Sequence, residues 1–254
     1  MNLGTALLLF FVALLAGAMN AVAGGGSFIA FPTLLFTGVP PVPANATNTV
    51  ALWTGLAFSG GAFRRHLNAK RQILVSLVGV SLLGGTLGAI LLLRTPAHTF
   101  MRVLPWLMLA ATLLFMFGPK LARLRVASVS EETTTGAILV AACFQLLVGI
   151  YGGYFGGGIG IVILAMLAAL GMADIHQMNA LKSVLSTSIN GVAVIIFVAS
   201  RAVYWRQALI MILGAALGGY FGAHYSLRLA QNWIRGFVIL IGSAMTTYFF
   251  VRSY

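Results

Sequence analysis

Acidic residues are nearly absent from this sequence, which holds 3 Asp and Glu against 15 Lys and Arg in 254 residues. Charged residues of both signs make up only 7% of the chain, whereas hydrophobic residues make up 60%. A water-soluble domain needs more polar surface than so few charges supply. The composition therefore excludes a soluble globular domain and indicates an all-α polytopic membrane protein, because helices satisfy their own backbone hydrogen bonds in lipid.

The excess of basic residues gives a formal net charge of +12. These residues lie in short clusters between apolar runs, such as "FRRHLNAKR" (63–71) and "PKLARLR" (119–125). Basic loops between membrane spans set orientation by staying on the cytoplasmic side. We therefore interpret the clusters as topology signals, and we expect no nucleic acid partner.

Cysteine is also scarce, since Cys143 is the single one and lies inside the apolar run "AILVAACFQLLVGI". An internal disulfide is therefore excluded. The sequence also lacks a Ser/His/Asp set, an HExxH motif and paired carboxylates within an apolar run. We expect a protein that is not an enzyme, with no catalytic residues, no metal site and no cofactor.

Apolar runs long enough to cross a bilayer dominate what remains, since about 20 residues suffice for a helical span. Two further pieces, 27–38 and 159–171, are shorter, and each follows three glycines and ends at another glycine. These pieces predict half-helices, broken or re-entrant. The eight long runs are 3–23, 44–63, 72–93, 101–119, 136–155, 178–200, 206–223 and 234–251.

The order of long and short runs indicates an internal duplication. Five pairs of segments match in order at an offset of 132 to 135 residues: "AGGGSFIAF" with "FGGGIGIVI", "ANATNTV" with "MNALKSV", "KRQILVSLVG" with "WRQALIMILG", "GGTLG" with "GGYFG", and "TFMRVL" with "NWIRGF". Collinear matches at one offset are the signature of a repeat. We predict a first membrane repeat over 1–126, a polar connecting loop over 127–135 and a second membrane repeat over 136–254.

The duplication also bears on the N-terminal run, where Ala21 and Ala23 resemble a signal-peptidase site. The counterpart of this run is 136–158, in mid-chain, where no signal peptidase acts. The opening "MNLGTALLL" lacks the basic residues of a signal peptide. We therefore expect the first run to be retained as a membrane helix.

Two topologies are open at this stage. If the short pieces re-enter without crossing, each half has four spans, and ten Lys and Arg share the side of the termini while Arg94, Arg102, Arg228 and Arg235 take the other. If the short pieces cross, the halves are inverted and the split becomes nine to five. The positive-inside rule favours the first topology. It predicts a multi-pass protein of the cell (inner or plasma) membrane with both termini in the cytoplasm.

The glycine triplets are the first candidate binding elements. A broken backbone at membrane depth persists where it lines a cavity, and the helix that follows points its positive N-terminal end at that cavity. These helices are expected to begin near Ser27 and Ile159. The candidate anion-binding glycines are Gly24, Gly25, Gly26, Gly156, Gly157 and Gly158.

Lys182 is the second candidate, because it is the one basic residue inside an apolar span rather than at its edge. A buried ammonium in a membrane needs a partner or a wet cavity. Helical spacing places it in a polar stripe with Asn179, Ser183, Ser186 and Asn190. The equivalent helix of the first half offers Asn45, Asn48 and Thr49. We predict that these side chains contribute to substrate binding, although snorkelling of Lys182 and hydrogen bonding between helices are alternative interpretations.

The glycine turn, the segment "SFIAFPTLLFTG" and the following "ANATN" resemble the sulfite exporter TauE/SafE family. In the second half, "FGGGIGIVILAML" and "HQMNALKS" resemble the second repeat of that family, with Leu164 where Pro32 stands in the first half. The similarity covers essentially the whole chain. It implies a secondary permease for a small sulfur-containing anion, such as sulfite or a sulfonate.

We expect a secondary transporter that binds a small anion between the two repeats near mid-membrane. An anion channel and a membrane scaffold subunit without transport activity are the alternatives. The expected partners are the anionic substrate and the lipid bilayer. The sequence leaves open whether transport couples to protons, for which Asp174 and His176 are candidates, or to another ion, and whether the chain forms homo-oligomers.

Overall fold

The computed structural model of the chain describes residues 1–22, 24–62, 71–123, 135–169, 172, 175–225 and 231–253. The described residues form ten helices and no strand, so the all-α prediction is confirmed. Each of these ten helices corresponds to one of the apolar runs expected from the sequence. The helices are α1 (Leu3–Val22), α2 (Ser27–Phe36), α3 (Pro41–Ala62), α4 (Arg71–Arg94), α5 (Ala97–Arg123), α6 (Thr135–Tyr154), α7 (Ile159–Ala169), α8 (Ile175–Ala199), α9 (Trp205–Tyr225) and α10 (Gln231–Ser253).

Five helical segments among the described residues are long and apolar enough to cross a bilayer: Leu3–Ala21, Leu74–Arg94, Ala97–Phe117, Gln177–Ala199 and Gly236–Ser253. The outer surface carries large apolar side chains, such as those of Leu83, Leu213 and Leu240, each more than 60% exposed. Lipid is the solvent that accommodates such a surface. The structure is that of a multi-pass membrane protein.

Each half of the chain has four long helices and one short one. The short helices α2 and α7 have 10 and 11 residues, which correspond to about 15 Å at the usual helical rise. They begin at Ser27 and Ile159, as the glycine triplets predict. Each long helix before a triplet therefore ends at a break, and a half-helix follows it.

The two halves pack closely on each other through glycines. Gly218 of α9 lies so close to α1 that a Cβ atom would collide with the carbonyl oxygen of Leu14. Gly84 of α4 makes the corresponding approach to α6, where a Cβ would lie 2.7 Å from the carbonyl oxygen of Leu146. Gly84 and Gly218 match in the sequence comparison, and Leu14 and Leu146 are separated by the same offset of 132 as the glycine triplets. These two contacts between the halves therefore correspond to each other when the halves are exchanged.

The core around α2 consists of aromatic rings. Phe28 packs edge-on against Phe115 of α5 at 5.9 Å between ring centroids, and Phe31 packs against Phe155 at 6.1 Å. All four rings are at most 1% exposed. Edge-to-face pairs add stability beyond the apolar area that they bury. A half-helix too short to be stable alone is thus held in a fixed place, together with the break before it.

Candidate functional site

The first break joins α1 to α2. Gly24 and Gly25 have φ values of +76° and +97°, in the region that only glycine enters without strain. Gly26 has an ordinary φ, but a Cβ there would collide with the carbonyl oxygen of Ala16. Asn20 fixes the break, because its side-chain Oδ1 accepts a hydrogen bond from the Gly26 N–H at 2.8 Å.

The second break joins α6 to α7. Gly156 and Gly158 both have a φ of +74°. The first glycine of each triplet thus has a positive φ, whereas the second positive φ falls on the middle glycine of the first break and on the last glycine of the second. The hydroxyl of Tyr151 donates a hydrogen bond to the carbonyl oxygen of Gly157. Among the described residues, the N–H groups of Gly157 and Gly158 donate to no acceptor. This break therefore keeps free donors next to the positive end of α7.

A pocket lies between the two breaks, and α3 and α8 form the rest of its walls. Its interior holds about 40 Å³ of water-accessible space, which is enough for roughly three water molecules or one small oxyanion. The lining residues are Asn20, Ala21, Gly24, Gly25, Ser27, Thr49, Leu52, Trp53, Leu56, Phe155, Gly156, Gly158, Ile159, Gly160, Lys182, Ser183, Ser186 and Asn190.

Lys182 enters the pocket from the second turn of α8. Its aliphatic part passes over Gly160 of α7, where a Cβ would lie 3.3 Å from the lysine Cδ. The side chain is partly buried, and its ammonium forms no hydrogen bond or ion pair with any described residue. None of the described lining residues is acidic. The pocket thus contains a positive charge that no described residue compensates, and a bound anion would supply the missing negative charge.

Two of the four hydroxyls in the pocket wall, those of Thr49 and Ser183, donate to the backbone of their own helix. Thr49 donates to the carbonyl oxygen of Asn45 at 2.9 Å, and Ser183 donates to that of Asn179 at 2.8 Å. Ser186 differs, because its hydroxyl has no partner among the described residues although the residue is only 2% exposed. A buried polar group without a partner is costly. Ser186 and Lys182 are therefore among the side-chain donors that the pocket leaves free for a ligand.

Nine of the fourteen site residues predicted from the sequence line this pocket: Gly24, Gly25, Thr49, Gly156, Gly158, Lys182, Ser183, Ser186 and Asn190. The other five lie beside it and make other contacts: Gly26, Asn45, Asn48, Gly157 and Asn179.

The two amides of α3 connect the breaks rather than line the pocket. Asn45 donates from Nδ2 to the carbonyl oxygen of Tyr154 at 2.9 Å, at the end of α6. Asn48 donates from Nδ2 to the hydroxyl of Ser27 at 3.2 Å, at the start of α2. Both side chains are buried. In this structure they position the two breaks against α3.

Sequence reasoning missed several lining residues. Trp53 follows Thr49 by four positions and continues the same face of α3, so helical spacing alone could have found it. Asn20 lies six residues before Gly26, and its role depends on the reversal of the chain at the break, which spacing does not reveal. Of the two candidates for proton coupling, Asp174 and the side chain of His176 lie outside the described residues.

These features define the class: a multi-pass helical membrane protein with two broken helices that meet at an electropositive pocket, an arrangement typical of secondary transporters. A model of the family described as "Sulfite exporter TauE/SafE" matches residues 9–249. The chain belongs to the sulfite exporter TauE/SafE family, as its motifs predict.

Curated relatives agree with this assignment. The chain is 32% identical to a probable membrane transporter protein of Haemophilus influenzae over 88% of its own length and 86% of the relative. It is 29% identical to the probable membrane transporter protein ORF9 of a Sinorhizobium species, over 86% and 82% of the two chains. It is 28% identical to the probable membrane transporter protein YfcA of Escherichia coli K12, over 86% and 80%. No solved structure matches the chain.

Proposed function

We propose that this protein is a secondary transporter that moves one small anion across the cell (inner or plasma) membrane. The pocket between the breaks is its binding site, and the substrate is a sulfur-containing oxyanion or a small organosulfonate. Transport proceeds by alternating exposure of that pocket, and the protein has no enzymatic activity. The chain has no nucleotide-binding motif, so an ion gradient or the gradient of the substrate itself drives the movement.

The observation that carries this proposal is the ammonium of Lys182. A charge at membrane depth costs about 2.5–3.5 kcal/mol on insertion scales, and no described residue neutralises this one. The free N–H group of Gly158 and the hydroxyl of Ser186 add donors around the same space. Donors of this kind bind an oxyanion through charge-assisted hydrogen bonds, and they repel a cation.

The substrate class is supported by the family, whose description names sulfite export. The size of the pocket agrees with it, because about 40 Å³ of accessible space suits an ion with few heavy atoms. A channel would use the same lining. The breaks favour a carrier, because discontinuous helices that meet at a midplane site are a feature of secondary transporters.

The test is counterflow in liposomes that contain the purified protein. Liposomes loaded with unlabelled sulfite are diluted into radiolabelled sulfite, and the transient accumulation of label is measured. We expect accumulation with the unmodified chain and a loss of about a hundredfold with Lys182→Met, since a hydrogen bond to a charged group contributes about 1.5–3 kcal/mol. Lys182→Arg keeps the charge and should retain part of the activity.

Arg201→Met provides the matched control, because Arg201 is exposed in the turn between α8 and α9. This variant removes a positive charge far from the pocket and should transport normally. The proposal is wrong if Lys182→Met transports sulfite, thiosulfate and small sulfonates as fast as the unmodified chain does. A leak of label without counterflow would instead identify a channel.

A further inference from the structure

The directions of the long helices show how the two halves are oriented. Along α5 and α10, contacts run in opposite order: Met101 accepts a hydrogen bond from the hydroxyl of Ser253 at 3.0 Å, and Trp106 packs against Phe250 at 5.1 Å between centroids. Further along α5, Thr112 lies against Gly242. These helices occupy matching positions in the two halves, and they are antiparallel.

The equivalent helices α3 and α8 behave in the same way. Trp53 donates from Nε1 to the carbonyl oxygen of Thr187 at 3.1 Å, near the middle of both helices. Earlier in α3, Thr47 accepts a hydrogen bond from the N–H of Tyr204 at 3.0 Å, beyond the end of α8. Equivalent helices that are antiparallel are related by a two-fold axis across the helices, as in inverted repeats.

Helices α1 and α9 run parallel. Gly214 lies against the carbonyl oxygen of Phe10, Gly218 against that of Leu14, and Gly222 against Ala18, so both numbers rise together. This direction constrains the short helices. If only one of α2 and α7 crossed the membrane, α1 and α9 would be antiparallel.

The directions of α5 and α10 distinguish the two topologies. Between them lie α6, α8 and α9, which are long, and α7, which is short. If only α6, α8 and α9 crossed the membrane, α5 and α10 would be parallel. If α7 crosses as well, α5 and α10 are antiparallel, which is the observed arrangement. We infer that α7 crosses the membrane, and the parallel direction of α1 and α9 then requires that α2 crosses it too. The chain therefore spans the membrane ten times, as two inverted halves of five helices each.

The packing of α2 agrees with this inference. Phe28 at its start contacts Phe115 late in α5, whereas Phe31 contacts Phe100 early in α5. Helix α2 is therefore antiparallel to α5. This is the direction expected if α2 crosses the membrane between α1 and α3, because α1, α3 and α5 then run parallel to one another. The residues after it, 37–40, then lie on the side where α1 begins.

Ten crossings change the expected orientation. Arg94, Arg102, Arg201, Arg206 and Arg252 fall on the side of the termini, and the opposite side receives nine Lys and Arg, including the cluster at 63–71. The side richer in Lys and Arg faces the cytoplasm. Both termini therefore lie outside the cytoplasm, the reverse of the orientation expected for four spans in each half.

The pocket lies on the axis that relates the halves. Its walls contain residues that match in the sequence comparison, Thr49 with Ser183 and Gly24 with Gly156. If the proposed transport is correct, exchanging the conformations of the two halves converts a pocket open to one side into a pocket open to the other. The topology itself does not depend on that proposal.

Cysteine labelling tests the topology without any transport measurement. In a Cys143→Ala background, single cysteines are placed by Pro40→Cys and Ser200→Cys, which are exposed positions between helices, and by Asn68→Cys in the basic segment. Intact cells are treated with a membrane-impermeant maleimide, before and after permeabilisation. We expect positions 40 and 200 to react in intact cells and position 68 only after permeabilisation.

Two results would overturn the inference. Reaction of positions 68 and 200 from one side, with position 40 on the other, would show four crossings in each half. Positions 40 and 200 together in the cytoplasm would show that the assigned orientation is reversed. Fusion of alkaline phosphatase or a fluorescent protein after Tyr254 of the unmodified chain gives an independent reading, since only the phosphatase should be active.

Discussion

The indole N–H of Trp53 donates a hydrogen bond of 3.1 Å to the carbonyl oxygen of Thr187, and these two residues occupy matching positions in the two halves. Gly191 makes room for the ring, since a Cβ there would lie 3.3 Å from the Trp53 Nε1. The same ring lines the pocket. Trp53 is therefore both a wall of the candidate site and a contact that relative movement of the halves must break.

Because Trp53 forms part of the pocket wall, we predict that it limits the size of the substrate. Trp53→Ala removes the largest side chain of the pocket wall, so a larger sulfonate should gain access. We expect the ratio of toluenesulfonate uptake to sulfite uptake to rise about tenfold, a typical size of discrimination by an apolar wall. Uptake of each anion in labelled form into liposomes measures this ratio.

Trp106→Ala serves as the matched control, because Trp106 is 55% exposed on α5 and does not line the pocket. This variant should leave the selectivity ratio unchanged. Equal ratios for the unmodified chain and Trp53→Ala, in proteins of equal thermal stability, would show that Trp53 does not set the size limit.

The helices are the part of this fold that the sequence predicts well. In lipid, a helix needs about 20 apolar residues whatever its neighbours are, so α4 and α8 follow from local composition. The breaks follow from local chemistry too, because only glycine enters a positive φ without strain. Gly24 and Gly156 thus mark both half-helices before any contact is known.

The neighbours of each side chain are not predictable in this way. Helical spacing places Asn45 and Asn48 on one polar face, but it does not reveal that their partners are Tyr154 and Ser27. Those partners depend on how α3 packs against α2 and α6. For the same reason, the number of crossings depends on the directions of helices distant in sequence, and counting basic residues favoured four spans over five.

A comparison of Gly24→Ala with Gly38→Ala distinguishes the effect of backbone strain on stability from an effect on transport. Both have a positive φ, +76° and +86°, and a Cβ at either would meet no atom within 4 Å. Alanine should therefore destabilise the protein at both positions by about 1–2 kcal/mol. Only Gly24→Ala alters the pocket, so it alone should reduce sulfite counterflow.

Thermal unfolding in detergent measures the first effect, and counterflow measures the second. The comparison controls for stability, because the two variants should unfold at similar temperatures. If Gly38→Ala impaired counterflow as much as Gly24→Ala, the loss would follow from strain in general and not from the geometry of the first break.

Ser186 gives the sharpest distinction between a ligand-binding residue and a structural one. Its hydroxyl is buried without a partner, so Ser186→Ala removes a desolvated polar group and should leave stability unchanged or raise it by about 1 kcal/mol. If the hydroxyl donates to the bound anion, the same variant should weaken sulfite binding about tenfold, since hydrogen bonds to charged groups contribute about 1.5–3 kcal/mol.

The measurement is the increase in unfolding temperature as sulfite is added, which reports affinity through mass action. Ser188→Ala on the same helix is the control, because the Ser188 hydroxyl donates to the carbonyl oxygen of Val184 at 2.9 Å and lies outside the pocket. It should bind sulfite as the unmodified chain does. A Ser186→Ala protein that loses stability and keeps its affinity would assign the hydroxyl to packing of α8 and remove it from the anion site.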